Sequence, residues 1–222
     1  ILSLSMGIFT LPLSAQKSKE KINDFNTPLH LLAPDYQTPY VEVTESGIKQ
    51  SLYRVMKYPE ETTPARIIDI NIKKEITDFS EIQKDCQLEQ GSLRLASYEG
   101  GVTYTGMLEE AKATGDRRYH SYVYDRFKFL AKAGPHFRKL MNDYGIIDPQ
   151  MKQMLTPHAL DDAGAMCASM IKLQQEKPDF ELRHIIDNYM NYIMYHEYRL
   201  SDGTFARNRP QRNTLWLDDM YM

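Results

Sequence analysis

Three short stretches gather residue types that do chemistry together. The last of them, Ala206-Arg207-Asn208-Arg209-Pro210-Gln211-Arg212-Asn213-Thr214-Leu215-Trp216-Leu217-Asp218-Asp219-Met220-Tyr221-Met222, runs three arginines into the only Trp and then into two adjacent carboxylates. A second, His158-Ala159-Leu160-Asp161-Asp162-Ala163-Gly164, again opens an apolar run with an Asp pair. A third, Ser97-Tyr98-Glu99-Gly100-Gly101-Val102-Thr103-Tyr104-Thr105-Gly106, offers an aromatic beside glycines that permit close backbone approach. Paired carboxylates suit general acid–base work on sugars, where one must stay protonated near neutral pH through burial or a like-charged neighbour. Arginines can meet a substrate carboxylate through a planar fork. The set describes a site for an anionic, ring-shaped ligand. A plainer reading stands beside it: acids in a first helical turn complement the helix dipole, and an Arg-rich loop can be a solvated face.

These residues need helices to position them. From Ser97 onward apolar residues recur at a 3.6-residue period, with Gly-Asp, Gly-Pro and Lys-Pro-Asp as stops. The spacing predicts helices over 98–114 (Val102, Met107 and Leu108 inward), 117–133, 161–175 and 180–195, and a last one beginning at Thr214 behind an Asn213 or Thr214 cap. An earlier helix is expected from about Tyr40 to Tyr58, with Val41, Ile48, Leu52, Val55 and Met56 on its apolar face. Between them, 59–96 reads as an irregular excursion holding the only strand-like alternation, Arg66 to Ile72. Helix hairpins that bury one face against their neighbours form a layer or a closed ring. Successive helix starts alternate ends, so the two Asp pairs, one hairpin apart, return to the same end. That places Asp162 and Asp218 across one cavity. Read as helical, Trp216 and Asp218 diverge by about 200°, at roughly 100° per residue, which suits a cavity rim.

Residues 1–15 are apolar, uncharged and end in small residues before a Lys/Glu run, which matches a clipped secretory signal peptide and predicts a periplasmic or secreted protein. The stretch is too short to span a bilayer. Residues 16–39, with three prolines, read as a linker, and 40–222 as the domain. Cys86 and Cys167 match no metal-ligand spacing, and Cys167 is expected as a buried thiol. A net charge of -3 gives no support for nucleic-acid binding. The glycines of 97–106 do not form a phosphate loop, since no Lys-Ser or Lys-Thr follows and no strand precedes. The apolar helix opening at the very end of the sequence predicts further helices beyond it, so that the present stretch alone is expected to be marginal or aggregation-prone.

Tyr98-Glu99-x-Gly-Val-Thr, Ala159-Leu160-Asp161-Asp162-x-Gly164, Tyr198-Arg199-Leu200-x-Asp202-Gly203-Thr204-x-Ala206-Arg207 and Thr214-Leu215-Trp216-Leu217-Asp218-Asp219-Met220-Tyr221-Met222 resemble the unsaturated glycuronyl hydrolases of glycoside hydrolase family 105, which include unsaturated rhamnogalacturonyl hydrolases. The resemblance covers Ser97 to Met222 and implies an all-α (α/α)6 toroid, with about its first half in this chain. One departure is Gly100, where the family usually carries a Trp. The implied substrate is a lyase-made oligosaccharide with a 4,5-unsaturated uronic acid at its non-reducing end, pectin or rhamnogalacturonan derived. Protonation at C4 leaves a cation at C5; water adds there, and the hemiketal opens to release the neighbouring sugar. The resemblance gives Asp218 the roles of proton donor and water activator, and Asp162 those of holding the ring hydroxyls and tuning Asp218. Trp216 and Tyr98 would border the sugar, Arg207 would meet its carboxylate or hydroxyls, and His158 would join the substrate-binding set. No metal or organic cofactor is implied. A non-catalytic helical glycan-binding module, or a polysaccharide lyase using Tyr98 or His158 as base, would place similar residues on the same scaffold.

Overall fold

The computed structural model describes residues 26–28, 31, 43–145, 148–176, 178 and 182–221. In chain order these form α1 (Glu45–Thr62), β1 (Ile67–Asp69), β2 (Glu75–Ile76), a short 3-10 turn (Phe79–Glu81), β3 (Cys86–Leu88), α2 (Tyr98–Thr114), α3 (Arg117–Tyr144), α4 (Pro149–Leu155), α5 (Leu160–Glu176), α6 (Arg183–Tyr195) and α7 (Leu217–Tyr221). All belong to the compact unit that begins at Thr44. The expected signal peptide and most of the linker lie outside the described residues. No described helix is long and apolar enough to cross a membrane.

The architecture is all-α with one small antiparallel sheet, ordered β2-β1-β3, as the excursion before α2. α2 and α5 lie side by side and parallel. At their starts Tyr98 N–H donates to Asp162, 64 residues on, and near their ends Lys172 pairs with Glu109, 63 residues away. A nearly constant offset means a shared direction, so both helices begin at the same end. α3 backs α2, α6 backs α5, and α7 begins beside α5. This is the pattern of inner and outer helices in the helical toroid expected from the sequence. The core is packed between the two layers: Tyr104, 2 % exposed, meets the Phe127 ring edge-on at 4.8 Å and donates its hydroxyl to the Leu95 carbonyl.

Gly101 sets how closely the inner helices approach. A Cβ there would stand 2.4 Å from the Ala165 carbonyl carbon and 2.6 Å from the Met166 nitrogen, both backbone atoms that cannot rotate away. Gly101→Ala is therefore expected to push α2 from α5 and cost at least about 1–3 kcal/mol of stability, read as a lower urea midpoint. Gly100 is equally constrained, because its Cβ would lie 2.8 Å from the Arg94 carbonyl oxygen. A Trp at this position does not fit this backbone, and the departure from the family pattern goes with the close approach of Arg94 and Leu95 to α2.

Several boundaries differ from the periodic reading. α3 does not stop at Gly134-Pro135 but runs on to Gly145, which caps it in the left-handed region at φ 67°. A proline inside a helix costs about 3 kcal/mol. Phe137 and Leu140, buried beyond it, each contribute about 1.5–3 kcal/mol and together outweigh that cost. α1 likewise passes Pro59, but starts at the Thr44 cap and buries only Met56 and Pro59, while Ile48 and Val55 stay exposed. Val102 of α2, expected inward, is half exposed. α4 escaped the periodic reading because seven residues carry too little pattern. Its local signal was Asp148-Pro149: the Asp148 carboxylate accepts from Gln150 and Met151 N–H and from Leu88 N–H, tying the sheet to the helical layer. Cys86 and Cys167 are both buried free thiols, and burial pushes Cys167 up to about 11.

Candidate active site

The shared end of α2, α5 and α7 holds a cavity of about 450 Å³, within the usual range for small-molecule sites. Asp162 sits in its wall, 8 % exposed, with both carboxylate oxygens held. Oδ1 accepts from Tyr98 N–H at 2.7 Å, the first amide of α2, and Oδ2 accepts from Gln153 Nε2 of α4. Burial pushes the Asp162 carboxyl above the usual range; the Tyr98 N–H pulls against that rise and the charge of Asp161 adds to it.

The loop from Tyr198 to Leu215 folds back on itself through two isolated bridges, Arg199 with Phe205 and Arg207 with Thr214. The second uses the Thr214 carbonyl as acceptor for Arg207 N–H at 2.9 Å. That backbone is therefore committed to the bridge, and the final helix starts at Leu217 rather than at Thr214. Trp216 consequently precedes the helix, and the helical angle expected between it and Asp218 does not apply. Its ring takes a different role: the Arg207 guanidinium lies 3.8 Å from its centroid.

The arginines of this loop are mostly engaged, not solvated. Arg207 donates from Nε and NH2 to both oxygens of Asp219, which is 6 % exposed, and from NH2 to Asp161 at 2.9 Å. The Asp219 hydrogen bonds raise its already high pKa further. Arg212 lies over the Tyr198 ring and Arg199 over Phe205. Arg209 differs from these two in lying in the cavity wall. It donates to the His158 carbonyl at 2.9 Å and has no carboxylate partner among the described residues.

One member of each Asp pair is thus bound to Arg207, which lashes the start of α5 to the start of α7. The remaining two are the pair singled out in the sequence. Asp162, Tyr98, Trp216, Arg207 and His158 all line the cavity. Asp218 does not; it is exposed in the first turn of α7, near enough to Arg207 for their charges to interact, and makes no hydrogen bond or salt bridge among the described residues. Sequence reasoning missed Gln153, Arg94 and Glu197, which also form the wall. Arg94 is paired with Glu99 at 2.9 Å. Nothing local marks Gln153, whose place follows from α4 packing beneath α5. Among the described residues, no group of three or more His, Cys, Asp or Glu side chains is placed to hold a metal ion.

No curated protein matches the chain significantly. A family model described as Glycosyl Hydrolase Family 88 matches residues 67–222, the whole span from the small sheet through the cavity to α7. The chain belongs to glycosyl hydrolase family 88, a glycoside hydrolase family related to the unsaturated glycuronyl hydrolases.

Proposed function

We propose that this chain forms the active-site end of a hydrolase that removes a 4,5-unsaturated uronic acid from the non-reducing end of lyase-made oligosaccharides. The observation that carries this is the cavity wall, where a buried carboxylate, an aromatic platform and a cation with no carboxylate partner among the described residues line one hollow. Asp162, pinned through both oxygens, accepts ring hydroxyls. Trp216 and the half-exposed Tyr98 border the sugar. Arg209 replaces Arg207 as receptor for the uronate carboxylate, because Nε and one terminal nitrogen of Arg207 are already committed to two carboxylates.

Asp218 is the proton donor in this reading. Its carboxyl has no hydrogen-bond or salt-bridge partner among the described residues, and in sequence it lies between two residues of the wall, Trp216 and Asp219. It protonates C4 of the vinyl ether, the positive charge at C5 is shared with the ring oxygen, and the resulting Asp218 carboxylate takes a proton from the water that attacks C5. The hemiketal then opens and the neighbouring sugar leaves. The motif resemblance to family 105 extends the proposal to rhamnose as aglycone and to pectin-type chains, and the N-terminal apolar stretch extends it to an exported protein.

Incubation of the full-length protein with lyase-made disaccharides tests the reading. The ultraviolet absorbance of the conjugated double bond should fall with turnover, whereas a lyase would raise it and a binding module would leave it unchanged. Asp218→Asn should lower kcat by about 10²–10⁴ with little change in KM, the usual contribution of a positioned acid. Full activity in that variant would remove Asp218 from the mechanism.

A further inference from the structure

We propose that Gln153 is a substrate-binding residue that reads one of the two ring hydroxyls of the unsaturated uronic acid, and so helps to decide which uronide is accepted. The proposal deepens the hydrolase reading above and rests on it. Gln153 lines the cavity, is 9 % exposed, and donates Nε2 to Asp162 Oδ2. Its other amide atom, Oε1, is buried and has no hydrogen-bond partner among the described residues. A buried amide oxygen left without a partner is costly, and natural folds seldom keep one without a use.

The side chain is not free to seek a partner elsewhere. α4 is clamped between its neighbours: Met151, Met154 and Leu155 are buried, and Asn188 of α6 donates to the Met154 and Leu155 carbonyls at 2.9 and 3.3 Å. Nε2 is fixed by Asp162, which fixes the direction of Oε1. Asp162 and Gln153, which both line the cavity and are joined by that hydrogen bond, are thus neighbouring acceptor residues in its wall. Two neighbouring donors match them.

A 4,5-unsaturated uronic acid presents such a pair in its C2 and C3 hydroxyls. The elimination that creates the substrate flattens C4 and C5, so configuration at those carbons is lost. Within the ring, C2 and C3 carry the remaining hydroxyl stereochemistry that a hydrolase can use to tell one unsaturated uronide from another. Asp162 and Gln153 stand where that reading is made.

Kinetics of the full-length enzyme on an unsaturated disaccharide and its 2-deoxy and 3-deoxy analogues test this. Wild type should prefer the parent over at least one analogue by about 10–100-fold or more, since a site built to bind a hydroxyl rejects its absence. Gln153→Met, near-isosteric and without an amide, should lower kcat/KM for the parent by a similar factor and abolish the preference. Gln153→Glu guards against a folding defect in the first variant. When protonated it keeps both a donor to Asp162 and a free carbonyl acceptor, so discrimination should return as pH falls. Unchanged discrimination in Gln153→Met, or none at any pH in a folded Gln153→Glu, would overturn the assignment. A wild-type enzyme inert on every unsaturated disaccharide would instead remove the hydrolase reading, and this one with it.

Discussion

Asp162→Asn is expected to lower kcat/KM on an unsaturated disaccharide by about 10²–10³, yet to leave the melting temperature at neutral pH unchanged or raised. The loss of activity is the smaller end of what a positioned carboxyl contributes, because in the proposed reaction Asp162 orients the ring while Asp218 moves the proton. The stability result follows from burial. The carboxyl is 8 % exposed and its pKa lies above that of an unfolded Asp. Between those two values the folded chain binds more protons than the unfolded one, so stability falls as pH rises through the window. The contribution is fully present below the unfolded value of 3.8 and lost above the folded one. Asn carries no charge to desolvate and removes that slope. It also keeps its partners: Oδ1 still accepts from Tyr98 N–H, and a flipped Gln153 amide turns its unpartnered Oε1 toward the new Nδ2. Thermal melts of both proteins across pH 3 to 8 would measure this. A clear loss of stability at pH 7 in the variant would mean that the ionised carboxylate holds α2 to α5 more firmly than burial penalises it.

Arg207→Ala should do the opposite: it unfastens the fold at the site. Removing the guanidinium leaves Asp219 buried and uncompensated and takes the second anchor from Asp161. Breaking a buried ion pair from one side typically costs 3–5 kcal/mol. The lower end applies because the Arg207 side chain is still 25 % exposed. About 3 kcal/mol corresponds to a drop of roughly 6–12 °C in melting temperature for a domain of this size. Arg207→Met combined with Asp219→Leu, which removes both charges, should recover most of that loss. Arg209→Ala supplies the contrast, raising KM for the unsaturated uronide with the melting temperature nearly unchanged. If Arg207→Ala instead raised KM alone, Arg207 would be the carboxylate receptor and Arg209 would not.

The two arginines mark where sequence reading stops. Composition and spacing place both in a basic loop before Trp216, and nothing in that text distinguishes them. Their roles separate only when the loop folds back, Arg207 pairs with Thr214 across it, and two carboxylates from distant parts of the chain close on one guanidinium. The Asp pairs behave the same way. Both pairs are legible as acids at helix starts, but which member is bound by Arg207 and which is left without it depends on helix phase and on the folded loop. Gln153 lay below detection for another reason: it sits on a seven-residue helix with no periodic signature, and its neighbour Asp162 is nine residues away through a turn.

What the sequence determined by itself is the set of inner helices and the end at which their acids gather. α2 was legible to the residue, and α5 within one at each end, because a 3.6-residue apolar period bounded by caps and glycines is a local property. Tertiary structure decided the rest. It carried α3 through Gly134-Pro135, where buried Phe137 and Leu140 outweigh a local rule; it delayed α7 to Leu217, where a bridge captured Thr214; and it bound Asp161 and Asp219 to Arg207, leaving Asp162 in the cavity wall and Asp218 exposed. Each of these is a competition between a local preference and a contact that exists only once the chain has folded back or its helices have packed.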